Sequence, residues 1–118
     1  MDKEIEKKIL AFYYDMKSYS NTESIKFAYQ SKTNWMVSCL IAGKQVEGIS
    51  YEDICGEIAK KFSSRSTLQR ILDNGIAENF FLKSPLDSDK RVQLYRLTED
   101  GEKQMEAWVK RQTEIFTK

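Results

Sequence analysis

Asp89-Lys90-Arg91-Val92-Gln93-Leu94-Tyr95-Arg96-Leu97-Thr98-Glu99-Asp100-Gly101 reads as a charged hairpin tip, a strand and the capped start of a helix. Arg91 to Leu97 alternates, with Val92, Leu94 and Arg96 on one face and Arg91, Gln93, Tyr95 and Leu97 on the other. Phe80 to Lys83 supplies a first strand, and Ser84 to Lys90 a loop whose turn residues are Pro85, Asp87 and Asp89. Thr98 then caps a helix to about Phe116, where Met105, Trp108, Val109, Gln112, Ile115 and Phe116 form a wide apolar face.

Working back from the hairpin, Ser63 and Ser64 offer caps for a helix over residues 65–78. On a 100° wheel Leu68, Ile71, Leu72 and Ile76 cluster inward, and Gly75 permits a close approach of backbones. Asn79 tolerates the left-handed conformation that commonly ends a helix. Ser66, Arg70 and Asp73 lie opposite the apolar side, flanked by Thr67 and Gln69. The opening Ser64-Arg65-Ser66-Thr67-Leu68-Gln69-Arg70 holds cations and hydroxyls and no acid. Free N–H groups at such a start suit a phosphate, as do the hydroxyls of Ser64, Ser66 and Thr67. Gln69 and Arg70 have the reach and donors to read adenine or guanine edges in a major groove. An amphipathic surface helix with ordinary caps is the bland alternative. The hairpin beside it tips the balance, because a groove-fitting helix followed by a basic finger is the layout of a winged helix-turn-helix.

Farther upstream, residues 3–19 form a helix with Ile5, Ile9, Phe12, Met16 and Tyr19 along one stripe. Ser18 to Ser24 is polar and turn-like. Ile25, Phe27 and Tyr29 alternate with Lys26, Ala28 and Gln30, which fits a short strand or an irregular link. Thr33 or Asn34 can cap a second helix to about Val46, ended by Gly48. Ile49 and Ser50 read as a short extended piece and an N-cap. The helix they introduce, with Asp53 at its positive end, buries Ile54, Cys55, Ile58 and Phe62.

At 118 residues the chain fits one domain that buries roughly two-thirds of its unfolded surface. One proline and five glycines favour helices over a many-turned β fold. No apolar run approaches a membrane span, and the acidic, polar start is unlike a signal peptide, so a cytoplasmic protein is expected. Cys39 and Cys55 sit among apolar helix positions and read as small buried hydrophobes in a reducing compartment. The chain has no histidine. With two distant cysteines, no phosphate-binding glycine loop and no nucleophile elbow, catalysis, a metal site and a cofactor are not expected. Net charge is only +1, but residues 60–96 hold eight cations, Lys60 and Lys61 among them, against four acids. Positive charge is thus gathered where a phosphate backbone would be met, and a solvated face of mixed charge is the alternative.

Ser66-Thr67-Leu68-Gln69-Arg70-Ile71-Leu72-Asp73 resembles the recognition-helix signature of MarR-type winged-helix regulators. Asp89-Lys90-Arg91, followed by Leu97-Thr98-Glu99-Asp100-Gly101, resembles that family's wing motif and the start of its next helix. Together with the preceding helix the likeness covers about residues 49–105. It implies a wing arginine at Arg91 reaching toward the minor groove and a wing-steadying aspartate at Asp89, in keeping with the negative potential of a narrow minor groove. Asn79 stands where the family usually has glycine. The stretch from Ile54 to Ser66 runs about one turn longer than usual, and only one helix follows the wing.

The expectation is therefore a mainly α protein with a small β-hairpin wing, a single winged helix-turn-helix domain over residues 1–118. Its DNA-binding core spans 33–98, and the helices at 1–19 and 99–116 serve dimerisation, their apolar stripes exceeding what a small core covers. Packing of those helices on each other and on Trp35 within a monomer is the competing arrangement. The expected function is sequence-specific binding of double-stranded DNA by a transcriptional repressor through Ser64, Arg65, Ser66, Thr67, Gln69, Arg70, Lys90 and Arg91. A protein-docking winged helix in a transcription or replication assembly is the alternative. A small-molecule effector is compatible with the sequence but not indicated by it.

Overall fold

The computed structural model describes residues 1–19 and 23–117. The elements are α1 (Lys3–Tyr19), α2 (Glu23–Lys26), α3 (Lys32–Gly43), β1 (Ile49–Ser50), α4 (Tyr51–Phe62), α5 (Arg65–Ala77), β2 (Phe81–Leu86), β3 (Asp89–Leu97) and α6 (Glu99–Thr117). β3 is the central strand, antiparallel to β1 on one side and β2 on the other. Val37 and Ile41 of α3, Ile54 and Ile58 of α4, and Leu68, Ile71 and Leu72 of α5 close over Phe81, Tyr95 and Leu97 of the sheet. A mainly α fold with a small hairpin is what the periodicities anticipate.

Three helix starts follow their caps. Ser50 Oγ accepts from Asp53 N at 3.1 Å, Ser64 Oγ from Thr67 N at 3.2 Å, and Thr98 Oγ1 from Gly101 N at 3.0 Å. Asn79 ends α5 at φ 58°, as its side chain permits. A Cβ on Gly75 would run into the Phe81 ring, so α5 can lie directly on β2 only with glycine there.

Several expectations are corrected. α3 starts at Lys32 with Ser31 as its cap, Oγ accepting from Asn34 N at 3.0 Å, and not with Thr33 or Asn34. Asn34 is buried instead, its Nδ2 donating to the Phe27 carbonyl at 3.1 Å. α3 stops at Gly43, and the chain turns through residues 44–47 to Gly48 at φ +79°. Ile25 to Tyr29 is neither strand nor loose link: α2 and a turn bury Ile25, Phe27 and Ala28. Phe62 is 45% exposed, because the last turn of α4 has passed the core, and Lys32 Nζ lies 5.5 Å from its ring centroid. Cys55 is buried, but Cys39 is exposed, since α3 turns Asn34, Val37, Ser38 and Ile41 inward. Neighbouring side chains still desolvate the Cys39 thiol and push its pKa up. The hairpin loop is shorter than expected: β2 continues to Leu86 and β3 begins at Asp89, leaving Asp87–Ser88 as the turn. Pro85 is accommodated because β2 is an edge strand. Of the polar stretch Ser18 to Ser24, the centre, Ser20 to Thr22, lies outside the described residues, as does the Lys60 side chain.

Candidate nucleic-acid interface

The start of α5 is a cluster of hydroxyls. Ser64 Oγ caps the helix, donates to Thr67 Oγ1 at 2.9 Å and lies 3.2 Å from Ser66 Oγ. Ser64 and Ser66 are exposed and Thr67 is half-buried. Arg65 is not free to swing: Nη2 meets Glu52 Oε1 at 2.6 Å, and its guanidinium carbon lies 5.2 Å from the Tyr51 ring centroid. Tyr51 Oη donates in turn to the Arg65 carbonyl at 3.2 Å, tying the first turn of α5 to that of α4. One turn along, Gln69 Nε2 donates to Asp73 Oδ1 at 3.0 Å. Arg70 is exposed and, among the described residues, enters no ion pair. It is the α5 side chain whose donors are most available.

At the hairpin tip Asp89 grips Arg91 at three points. Arg91 Nε and Nη2 donate to the two carboxylate oxygens at 3.1 Å each, and Arg91 N donates to Oδ1 at 3.1 Å. The guanidinium first, and then the backbone N–H, hold the Asp89 carboxyl below the usual carboxylate range. The Arg91 side chain nevertheless remains 90% exposed, so the pair orients it without covering it. Lys90 is also exposed and stands 3.9 Å from Asp87. Ser64, Arg65, Ser66 and Arg70 are therefore exposed on the first turns of α5, with Thr67 and Gln69 half-buried beside them, and Lys90 and Arg91 share the hairpin. Among the described residues, no hydrogen bond or ion pair joins the two groups. Tyr51 and Glu52 escaped the sequence reading, because no local pattern links them to a helix start fourteen residues on.

Two further features lie among α1, α3 and α6. Phe12, Met16, Tyr29, Ser31, Lys32, Trp35 and Trp108 line a cavity of about 340 Å³ between α1, α3 and α6. Its rings pack closely, Trp35 to Trp108 at 5.0 Å and Tyr29 to Trp35 at 5.3 Å, and burial pushes the Tyr29 phenol above its ordinary pKa. Beside it Asp15 of α1 receives Arg111 Nε and Gln112 Nε2 of α6, both at 2.8 Å. The terminal helices thus pack on each other within one chain, as the monomer arrangement supposes. Yet α1 buries no residue and exposes Ile5, Ile9, Leu10, Tyr13 and Tyr14. The radius of gyration, 15.8 Å, exceeds the roughly 13.5 Å of a compact chain this long.

No protein-family model and no curated protein matches the chain in sequence. Solved structures match it in shape. The MepR–DNA complex of S. aureus superposes with a TM-score of 0.69 at 17% identity, over 92% of this chain and 85% of that one. MarR gives 0.56 at 12% identity over 90% and 72%. NadR in complex with 4-hydroxyphenylacetate gives 0.61 at 20% identity over 90% and 70%. With the capped α5, the three-stranded sheet and the projecting β2–β3 hairpin, these matches establish that the chain has the winged helix-turn-helix fold of MarR-type proteins.

Proposed function

We propose that the protein is a sequence-specific regulator of transcription that binds double-stranded DNA and represses by covering a promoter. α5 enters the major groove, where Gln69 and Arg70 read base edges while Ser64, Arg65, Ser66 and Thr67 hold the phosphate backbone. Lys90 and Arg91 extend toward the adjacent minor groove, with Asp89 steadying the wing. The observation that carries this reading is a pair of exposed arginines on a shared fold. Arg70 is exposed on α5 and Arg91 is 90% exposed on the hairpin, in a fold also found in a protein solved on DNA.

A two-fold dimer through α1 and α6 completes the reading, because Ile5, Ile9, Leu10, Tyr13 and Tyr14 of α1 and Val109 of α6 stay about half exposed. Such a dimer sets its α5 helices about 34 Å apart, one turn of DNA. Fluorescence anisotropy on duplex DNA across a salt series tests the binding. Affinity should fall steeply with salt as counterions are released, and no binding at low salt on any duplex would refute the proposal. The aromatic cavity favours a second element, control by a small aromatic molecule, and NadR was solved with such a molecule.

A further inference from the structure

The hairpin that carries Arg91 is joined to the third strand at its base. β1 pairs with β3 at Leu94 and Tyr95 alone, so from Gln93 outward the wing is a two-stranded ribbon. A ribbon of this kind twists strongly and is marginal by itself. Its direction is therefore set by what grips the strands near Leu94 to Leu97. Tyr95 and Leu97 anchor the inner face in the core. On the outer face, opposite Leu82, stands Arg96.

Arg96 is half-buried and directs its donors at the protein. Nη2 donates to the Glu47 carbonyl at 2.8 Å and more weakly to that of Val46 at 3.5 Å, and Nε donates to the Gln45 carbonyl at 3.2 Å. Nη1 reaches Ser84 Oγ on β2 at 3.4 Å. One planar fork thus gathers three successive carbonyls of the turn that follows α3 and touches the partner strand, a geometry suited to guanidinium and not to ammonium. Gly48 leaves the room, since a Cβ there would stand 3.0 Å from Arg96 Cζ. The same turn holds β3 a second time: Leu97 N donates to Gln45 Oε1 at 2.7 Å, and Gln45 Nε2 donates to the Leu97 carbonyl at 3.0 Å. The Gln45 amide fills the place of a strand residue just past the end of the β1 pairing.

We propose that Arg96, with Gln45 as its counterpart, is the positioning residue of the wing: it fixes the angle at which the hairpin leaves the body, and so where Arg91 meets DNA. Its consequence for binding rests on the DNA-binding reading above; the latch itself is a property of the free protein. Arg96→Met keeps the aliphatic stem and removes every donor, whereas Arg96→Lys keeps a cation.

Two measurements on the full chain test this. Without DNA, hydrogen exchange at residues 86–93 should quicken by about fivefold or more in Arg96→Met, with α5 amides unchanged. On a duplex selected by the wild-type protein, Arg91→Ala should weaken binding about tenfold in the wild-type background and less than about threefold beside Arg96→Met. Arg70→Ala should cost the same in both backgrounds, which a general loss of structure would not give. Arg96→Lys should restore part of the Arg91 effect. Unchanged exchange in the hairpin, or an undiminished Arg91→Ala effect, overturns the latch. If the wild-type protein selects no duplex, the DNA reading falls by itself and exchange still decides the latch. Should Arg96→Met not fold, Gln45→Ala, which removes both side-chain bonds to Leu97, carries the same readouts.

Discussion

Arg65 Nη2 lies 2.6 Å from the Glu52 carboxylate, so the first cation of α5 is tied to the helix before it. The pair is exposed and contributes little to stability. Its effect is on availability, because a guanidinium held by a carboxylate is a poorer partner for phosphate.

Glu52→Gln should therefore tighten DNA binding by about threefold and steepen the logarithmic salt dependence by about one. Anisotropy titrations at several salt concentrations measure both. Weaker binding would show instead that Glu52 aims Arg65 at the phosphate.

The Asp89–Arg91 pair has a definite pH signature. The folded carboxyl titrates below its ordinary value of about 3.9. A group depressed in the folded state contributes stability that is fully present above its unfolded pKa and is lost as pH falls through the folded one. The wing brace should thus be intact at neutral pH and fail only in acid. Carbon-detected NMR of the Asp89 side chain should give a midpoint below the ordinary value, moving up in Arg91→Ala. A midpoint that Arg91→Ala leaves unmoved would show that another group holds the charge.

Asp15 joins α1 to α6 from a side chain only 9% exposed. Asp15→Ala leaves Arg111 and Gln112 without their acceptor and should cost about 2–4 kcal/mol in chemical denaturation. If the proposed dimer forms through α1, its dissociation, followed by sedimentation, should increase with the substitution, since Ile5, Ile9, Leu10, Tyr13 and Tyr14 of that helix are exposed. A full-strength dimer in this variant would place the interface elsewhere.

Gly75→Ala presses a methyl group into the Phe81 ring. Overpacking of this kind should cost about 1–3 kcal/mol, read as a lower thermal midpoint. An unaltered midpoint would mean that α5 can slide on β2, and so shift relative to the hairpin.

Both tryptophans of the chain, Trp35 and Trp108, line the aromatic cavity. Small aromatic molecules that enter it should quench most of the intrinsic fluorescence. Trp35→Phe should remove a large share of that quench, and molecules that quench should also change DNA affinity.

Local chemistry made much of this legible. Ser50, Ser64 and Thr98 announce their helices because a hydroxyl beside free N–H groups has one obvious partner, and Asn79 marks an end because few side chains tolerate its backbone. The Asp89-x-Arg91 pair was legible through its likeness to a family wing motif, and the structure joins the two residues across two positions of β3. Features that depend on distant neighbours were not. Phe62 and Cys39 have apolar character but meet no core where their helices present them. Asn34 resembles a cap until Phe27 offers its carbonyl. Gln45, Glu52 and Arg96 look like ordinary surface residues, and their roles exist only because the fold brings remote backbone or charge within reach.

Selection of bound sequences from a random pool of duplex DNA, run in parallel on the wild-type protein, Arg70→Ala and Arg91→Ala, addresses the paired helix and wing most directly. The wild-type protein should enrich a pseudo-palindrome with half-sites about one helical turn apart. Arg70→Ala should blur the base preference within each half-site, and Arg91→Ala should keep the preference but lower the yield. Enrichment of no sequence by the wild-type protein, or identical motifs and yields from all three, would contradict the assignment of α5 and the hairpin as one composite DNA-binding surface.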